Sequence, residues 1–64
     1  MIFDIEVDFV GVNDPKIKNK IFTRINGDSQ KEIEDYYLGN IFDFGDTEEH
    51  PQDLPMKATK VTFL

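Results

Sequence analysis

His50 is the only histidine in the chain, and it stands among Asp46, Glu48, Glu49 and Asp53. Carboxylates gathered around one imidazole are the donor types of a calcium or zinc site. The spacing fits neither. A calcium loop needs oxygens at alternating positions, a turn glycine and a terminal bidentate glutamate; Asp46-Thr47-Glu48-Glu49 lacks that order. A zinc site needs three or four ligands oriented by supporting partners, and an eleven-residue loop with two prolines (45–55) provides no obvious frame. The expectation is a solvated acidic loop, with no metal and no cofactor.

Nucleophilic chemistry is no better supplied. Ser29 is the only serine and there is no cysteine, so neither a Ser/His/Asp nor a Cys/His arrangement assembles. Asp43-Phe44-Gly45 has the letters of the kinase metal-binding triplet, but no other kinase signature accompanies it. No enzyme is expected.

The informative feature is the placement of charge. The 64 residues carry 13 acids against 7 Lys and Arg, a net charge of −6. Nine of those acids fall between residues 28 and 53: Asp28, Glu32, Glu34, Asp35, Asp43, Asp46, Glu48, Glu49 and Asp53. Only Lys31 opposes them, so that segment holds −8 and the rest of the chain +2. A field of this kind steers association with a positive surface. It disfavours direct binding to nucleic-acid phosphates, which rests on Lys and Arg. The plainer alternative is solubility together with favourable charge at a helix N-terminus. Tyr36, Tyr37 and Phe22 are aromatic candidates for anchors at an interface.

These residues need elements to position them. Residues 2–10 alternate, with Phe3, Ile5, Val7 and Phe9 on one face and Asp4, Glu6 and Asp8 on the other; this is a half-buried strand. Residues 11–16 are turn chemistry around Asn13-Asp14-Pro15. A second strand follows over 17–26, with Ile17, Ile21, Thr23 and Ile25 inward and Lys18, Lys20, Phe22 and Arg24 outward. A hairpin in which paired positions sum to 28 sets Asp4 against Arg24 and Asp8 against Lys20. Ser29 followed by Glu32 is a capping box that starts a helix over 29–38, ended by Gly39 at the C′ position. Ile41–Phe44 reads either as a short strand or as a clip of two Phe against the core edge. After the acidic loop of 45–55 comes a last strand over 56–63, with Thr59, Val61 and Phe63 as the core face.

The expected fold is a single α+β domain over 1–64 in ββαβ order. Its three-stranded, mainly antiparallel sheet has order 2-1-3, with the helix packed on one face. The direction of the last strand is open, antiparallel being the default. The zero cysteine count excludes disulfide staples and thiolate zinc sites. No apolar run reaches the ~18 residues of a membrane span, and Asp4, Glu6 and Asp8 interrupt the N-terminus where a signal peptide would be apolar. A cytoplasmic protein is expected.

The hairpin, the Ser29/Glu32 helix start and the late strand together resemble the plan of tiny proteins from phages and mobile elements, some of which inhibit host enzymes. That resemblance implies a small inhibitor or modulator. In this reading Glu34, Asp35, Tyr36, Tyr37, Asp43, Asp46, Glu48, Glu49, Asp53 and Phe22 meet a protein partner with a basic surface, carboxylates standing where phosphates would sit. The alternative is a structural or accessory subunit acting through homo-oligomerisation, with a homodimer as its simplest form.

Overall fold

A computed structural model of the chain describes residues 1–45 and 53–64. Strand β1 (Ile2–Gly11) and strand β2 (Lys18–Asn26) form an antiparallel hairpin. Helix α1 (Gln30–Tyr37) follows, then strands β3 (Ile41–Asp43) and β4 (Pro55–Phe63). The fold is α+β, but the sheet has four antiparallel strands in the order β2-β1-β4-β3, not three. The expected 2-1-3 order survives as β2-β1-β4, and Ile41–Asp43 adds an outer strand beside β4.

The hairpin register is the one that the charges imply. Asp4 stands opposite Arg24 and Asp8 opposite Lys20, with Val7 against Ile21 on the core side. Gly11 closes the turn by donating its N–H to Ile17 O at 2.8 Å. A Cβ on Gly11 would lie 2.5 Å from the Asp14 carbonyl oxygen, so only glycine lets the chain pass here. Ile17 falls in the turn rather than on the strand, and it is exposed.

The helix begins with the N-cap half of the expected capping box: the Ser29 hydroxyl accepts from Glu32 N–H at 3.2 Å. The Glu32 carboxylate reaches one residue beyond the N-cap and accepts from Asp28 N–H at 2.9 Å. At the other end Gly39 takes φ 79°, which a glycine adopts without steric cost. Asn40 completes the stop: its side-chain amide donates to Tyr36 O at 2.6 Å and to Asp35 O at 3.2 Å.

Ile5, Val7, Phe9, Ile33, Tyr37, Met56 and Ala58 are buried together. Phe3, Ile21, Ile25, Phe42, Phe44, Leu54, Val61 and Phe63 pack against them. Phe9 sits at the junction, edge-on to Phe42 and Phe44 at centroid distances of 5.8 and 4.6 Å.

The last strand departs from simple alternation. Asp8 pairs with Lys60 but Phe9 pairs with Ala58, so Thr59 is one residue extra. A bulge of this kind switches which parity faces the core. Met56 and Ala58 are buried before it; Val61 and Phe63 face inward after it. Thr59 itself is exposed, against the expectation that placed it in the core, and its hydroxyl donates to Asp8 O at 3.3 Å. The cause lies in the helix exit. Gly39 N–H donates to Ala58 O, and Ala58 N–H donates to Asn40 O, so the chain leaving α1 grips β4 at the small residue Ala58.

Candidate partner-binding surfaces

Among the described residues, the expected interface aromatics Tyr36 and Phe22 fall on opposite faces of the sheet. Alternation along β1 and β2 sends Phe3, Ile5, Val7, Phe9, Ile21 and Ile25 toward α1. The intervening residues form an outer face that no element among the described residues covers.

On the helix side, the adjacent tyrosines separate as two positions about 100° apart must. Tyr37 is buried, so its ring belongs to the core rather than to a surface. Burial raises its phenol above the usual tyrosine range, with the neighbouring Tyr36 adding to the effect. Tyr36 keeps 57% of its surface exposed. It rests edge-on against Tyr37 at 4.8 Å and beside Phe42 at 6.1 Å. An aromatic ring propped by buried rings loses little freedom on binding, which suits an anchor. Asp35 beside it is exposed and pairs with Lys31 at 3.1 Å, one helical turn back. Glu34 is half-buried on the far flank of the helix.

Asp43 has local work. Its Oδ1 accepts from Gly45 N–H at 2.9 Å and from Leu54 N–H at 3.0 Å. Phe44 N–H donates to Leu54 O at 2.9 Å. The carboxylate thus clasps the two stems that enter and leave the acidic loop. Those amides, Leu54 first and then Gly45, hold its pKa below the usual range, and a hydrogen bond with Asp53 acts in the same direction. Asp46, Glu48, Glu49 and His50 lie outside the described residues. Among the described residues no group of three His, Cys, Asp or Glu is placed to hold a metal.

The outer face is striped by charge. Its middle strand carries Asp4, Glu6 and Asp8; Lys20 and Arg24 lie across on β2, and Lys60 across on β4. Lys20 Nζ reaches both Glu6 at 3.3 Å and Asp8 at 3.8 Å. Lys18 and Lys57 flank Val10 at one end. Five of the seven bases therefore share this face, away from the helix. Phe22, opposite Glu6, is 68% exposed. Leu64 joins this surface, its N–H donating to Asp4 O at 2.9 Å. It was not singled out from the sequence, although simple alternation after Phe63 points it outward.

The described residues contain no helix long and apolar enough to cross a membrane. No family model matches the chain, and no curated protein or solved structure matches it significantly.

Proposed function

We propose that the chain is a small acidic protein-binding module that works by occlusion rather than catalysis. It presents the acidic segment of residues 28–53, with Tyr36 as its aromatic anchor, to a basic site on a nucleic-acid-handling protein in the cytoplasm. An inhibitor or modulator of the phage or mobile-element kind fits this role. The observation that carries the reading is that five of the bases sit on the outer sheet face, while α1, on the other side of the sheet, carries exposed Glu32, Asp35 and Tyr36. α1 belongs to the segment of residues 28–53, whose sequence sums to −8. Within that segment Tyr36 is the exposed aromatic ring among the described residues. Electrostatic steering brings such a face to a positive surface, and the aromatic supplies desolvated contact once it arrives.

The experiment is photo-crosslinking in cells with a benzophenone amino acid at position 36. A discrete adduct is expected, reduced when Glu34 and Asp35 are both changed to Lys and reduced again in a high-salt lysate. A crosslinker at Lys16 serves as control. An adduct pattern the same as that control, or one indifferent to charge reversal, overturns the proposal.

A second reading, an accessory subunit acting through homo-oligomerisation, draws on a different feature. Strand β2 is an open sheet edge beside the exposed Phe22.

A further inference from the structure

β2 lies at the edge of the sheet over its whole length of nine residues. Its hydrogen-bond phase follows from its two ends. Gly11 N–H donates to Ile17 O at 2.8 Å, and Gly27 N–H donates to Met1 O at 2.9 Å. The register between these pairs is unbroken. In an antiparallel ladder the residues that bond inward recur at every second position. Asn19, Ile21, Thr23 and Ile25 therefore bond to β1. Lys18, Lys20, Phe22, Arg24 and Asn26 turn their amides and carbonyls outward. Lys20 illustrates this, since its N–H donates to the Asn19 side chain at 2.8 Å rather than to β1.

A row of outward donors and acceptors is a template for another strand. We propose that the strand it takes is β2 of a second copy, paired antiparallel about a two-fold axis at Thr23, which joins the two sheets into one of eight strands. The register is selected by charge together with overlap, since an axis at Ile25 avoids like charges but pairs only residues 24–26 of the strand. Only even residues can bond even residues across this edge, so the symmetric registers are few. An axis at Phe22 sets Lys20 against Arg24 twice, and an axis at Ile21 sets Lys18 against Arg24 twice. An axis at Lys20 or at Arg24 sets identical cations face to face. Each of these is disfavoured.

The axis at Thr23 has no like-charge pair. Phe22 meets the second copy's Arg24, and Lys20 meets its Asn26. Lys18 reaches toward its Asp28, just beyond the strand. On the inner face Ile21 meets the second copy's Ile25, and the two Thr23 side chains face each other. Arg24 is already held by Asp4, with Nε–Oδ1 at 2.8 Å. Its guanidinium is thus neutralised and oriented, free to lay its face on the ring of Phe22. Both Ile21 and Ile25 are only partly buried in one copy, and this pairing covers them. The Asn19 side chain releases Lys20 N–H to the new strand.

This interface gives the homo-oligomeric reading a definite geometry and does not depend on the acidic face. The chain has no native cysteine, so single introduced cysteines report on it cleanly. Thr23 pairs with itself at a non-hydrogen-bonded position, where Cα atoms approach to about 4.5 Å, within disulfide reach. Under mild oxidation Thr23→Cys is expected to form a covalent dimer, while Phe22→Cys and Lys20→Cys remain largely monomeric. The unsubstituted chain is expected to sediment at twice its 7.4 kDa mass, and Phe22→Lys, opposing Arg24, to return it to one mass with unchanged circular dichroism. Thr23→Cys remaining monomeric with native circular dichroism overturns the proposal. So does Phe22→Cys crosslinking as readily, or an unsubstituted chain that sediments as a monomer at sub-millimolar concentration. Crosslinking from position 36 is read separately, so either proposal can fail alone.

Discussion

Arg24 Nε lies 2.8 Å from Asp4 Oδ1, directly across the hairpin, and both side chains are more than half exposed. The guanidinium hydrogen bond, and then its charge, hold the Asp4 carboxyl below the ordinary range; the same contacts raise Arg24. A carboxyl depressed in the folded state contributes stability above its unfolded pKa of about 3.9 and loses it as pH falls through the folded value. Asp4→Asn is expected to flatten the fall in melting temperature below about pH 4 while changing little at neutral pH, where solvent screens the pair. Melting curves across that range in low and high salt check it. Equal steepness in both proteins would count against the ion pair.

Asp43 belongs to the same acidic window for a different reason. Its carboxylate is depressed by amide donors of Leu54 and Gly45, so protonation weakens a clasp rather than an ion pair. Asp43→Ala removes the shared acceptor and leaves both amides without it. Asp43→Asn keeps a side-chain oxygen for them. The expected order of melting temperatures at neutral pH is wild type, then Asp43→Asn, then Asp43→Ala. Hydrogen exchange at Gly45 and Leu54 is expected to accelerate in the alanine variant more than elsewhere. Exchange that stays slow at both amides would remove the clasp.

The two tyrosines separate structure from surface within one dipeptide. Tyr37→Ala opens a core shared with Phe42 and is expected to cost about 3–5 kcal/mol by analogy with large aromatic truncations. Small domains hold roughly 0.05–0.15 kcal/mol per residue, so this variant falls near the unfolding threshold. Tyr36→Ala loses mainly edge-to-face contact and is expected to cost about 1 kcal/mol. Urea titrations measure both. On the alkaline side Tyr37 is raised, so its contribution is complete below about pH 10 and is lost as pH climbs through the folded value. An ultraviolet titration of Tyr36→Phe, which leaves Tyr37 as the only tyrosine, should show that phenol ionising above the usual tyrosine range.

The legible parts of this fold are those whose cause is local. Asp4 and Arg24 could be paired because alternation gave the inward face and charge gave the register. Ser29 and Glu32 could be read because a capping box spans three residues. The separation of Tyr36 from Tyr37 followed from helix geometry, although which ring turns inward depends on where α1 meets the sheet. The features that escaped depend on residues far apart in the chain. Ile41–Asp43 becomes a strand only because β4 returns beside it, and Asp43 becomes a clasp only because Leu54 arrives opposite Phe44, within reach of the same carboxylate oxygen as Gly45. Asn40 caps the helix through a side chain that serves equally well in an open turn. The division of the interface candidates, Tyr36 on one face and Phe22 on the other, required the layer order and not merely the alternation.

Thr59 is the sharpest case, because one extra residue decides which half of β4 can be buried. Val61 and Phe63 have the same parity as Thr59, whereas Met56 and Ala58 have the other. An unbroken strand can bury one set only. The helix exit demands Ala58 through its bonds with Gly39 and Asn40, and the T-shaped contact of Phe63 with Phe3 at 5.5 Å demands the other parity. The bulge satisfies both. Deleting Thr59 is therefore expected to be tolerated, because Ala58, Lys60 and Val61 then follow one another against Phe9, Asp8 and Val7 without a break, and Ala58, Val61 and Phe63 all stay inward. Thr59→Ala loses one long hydrogen bond to Asp8 O and is expected to cost about 0.5–1.5 kcal/mol. Urea denaturation checks both variants: a cooperative transition is expected for each, close to wild type for Thr59→Ala. A deletion variant with no cooperative transition would mean that the bend of the bulge, and not only the parity it sets, is required.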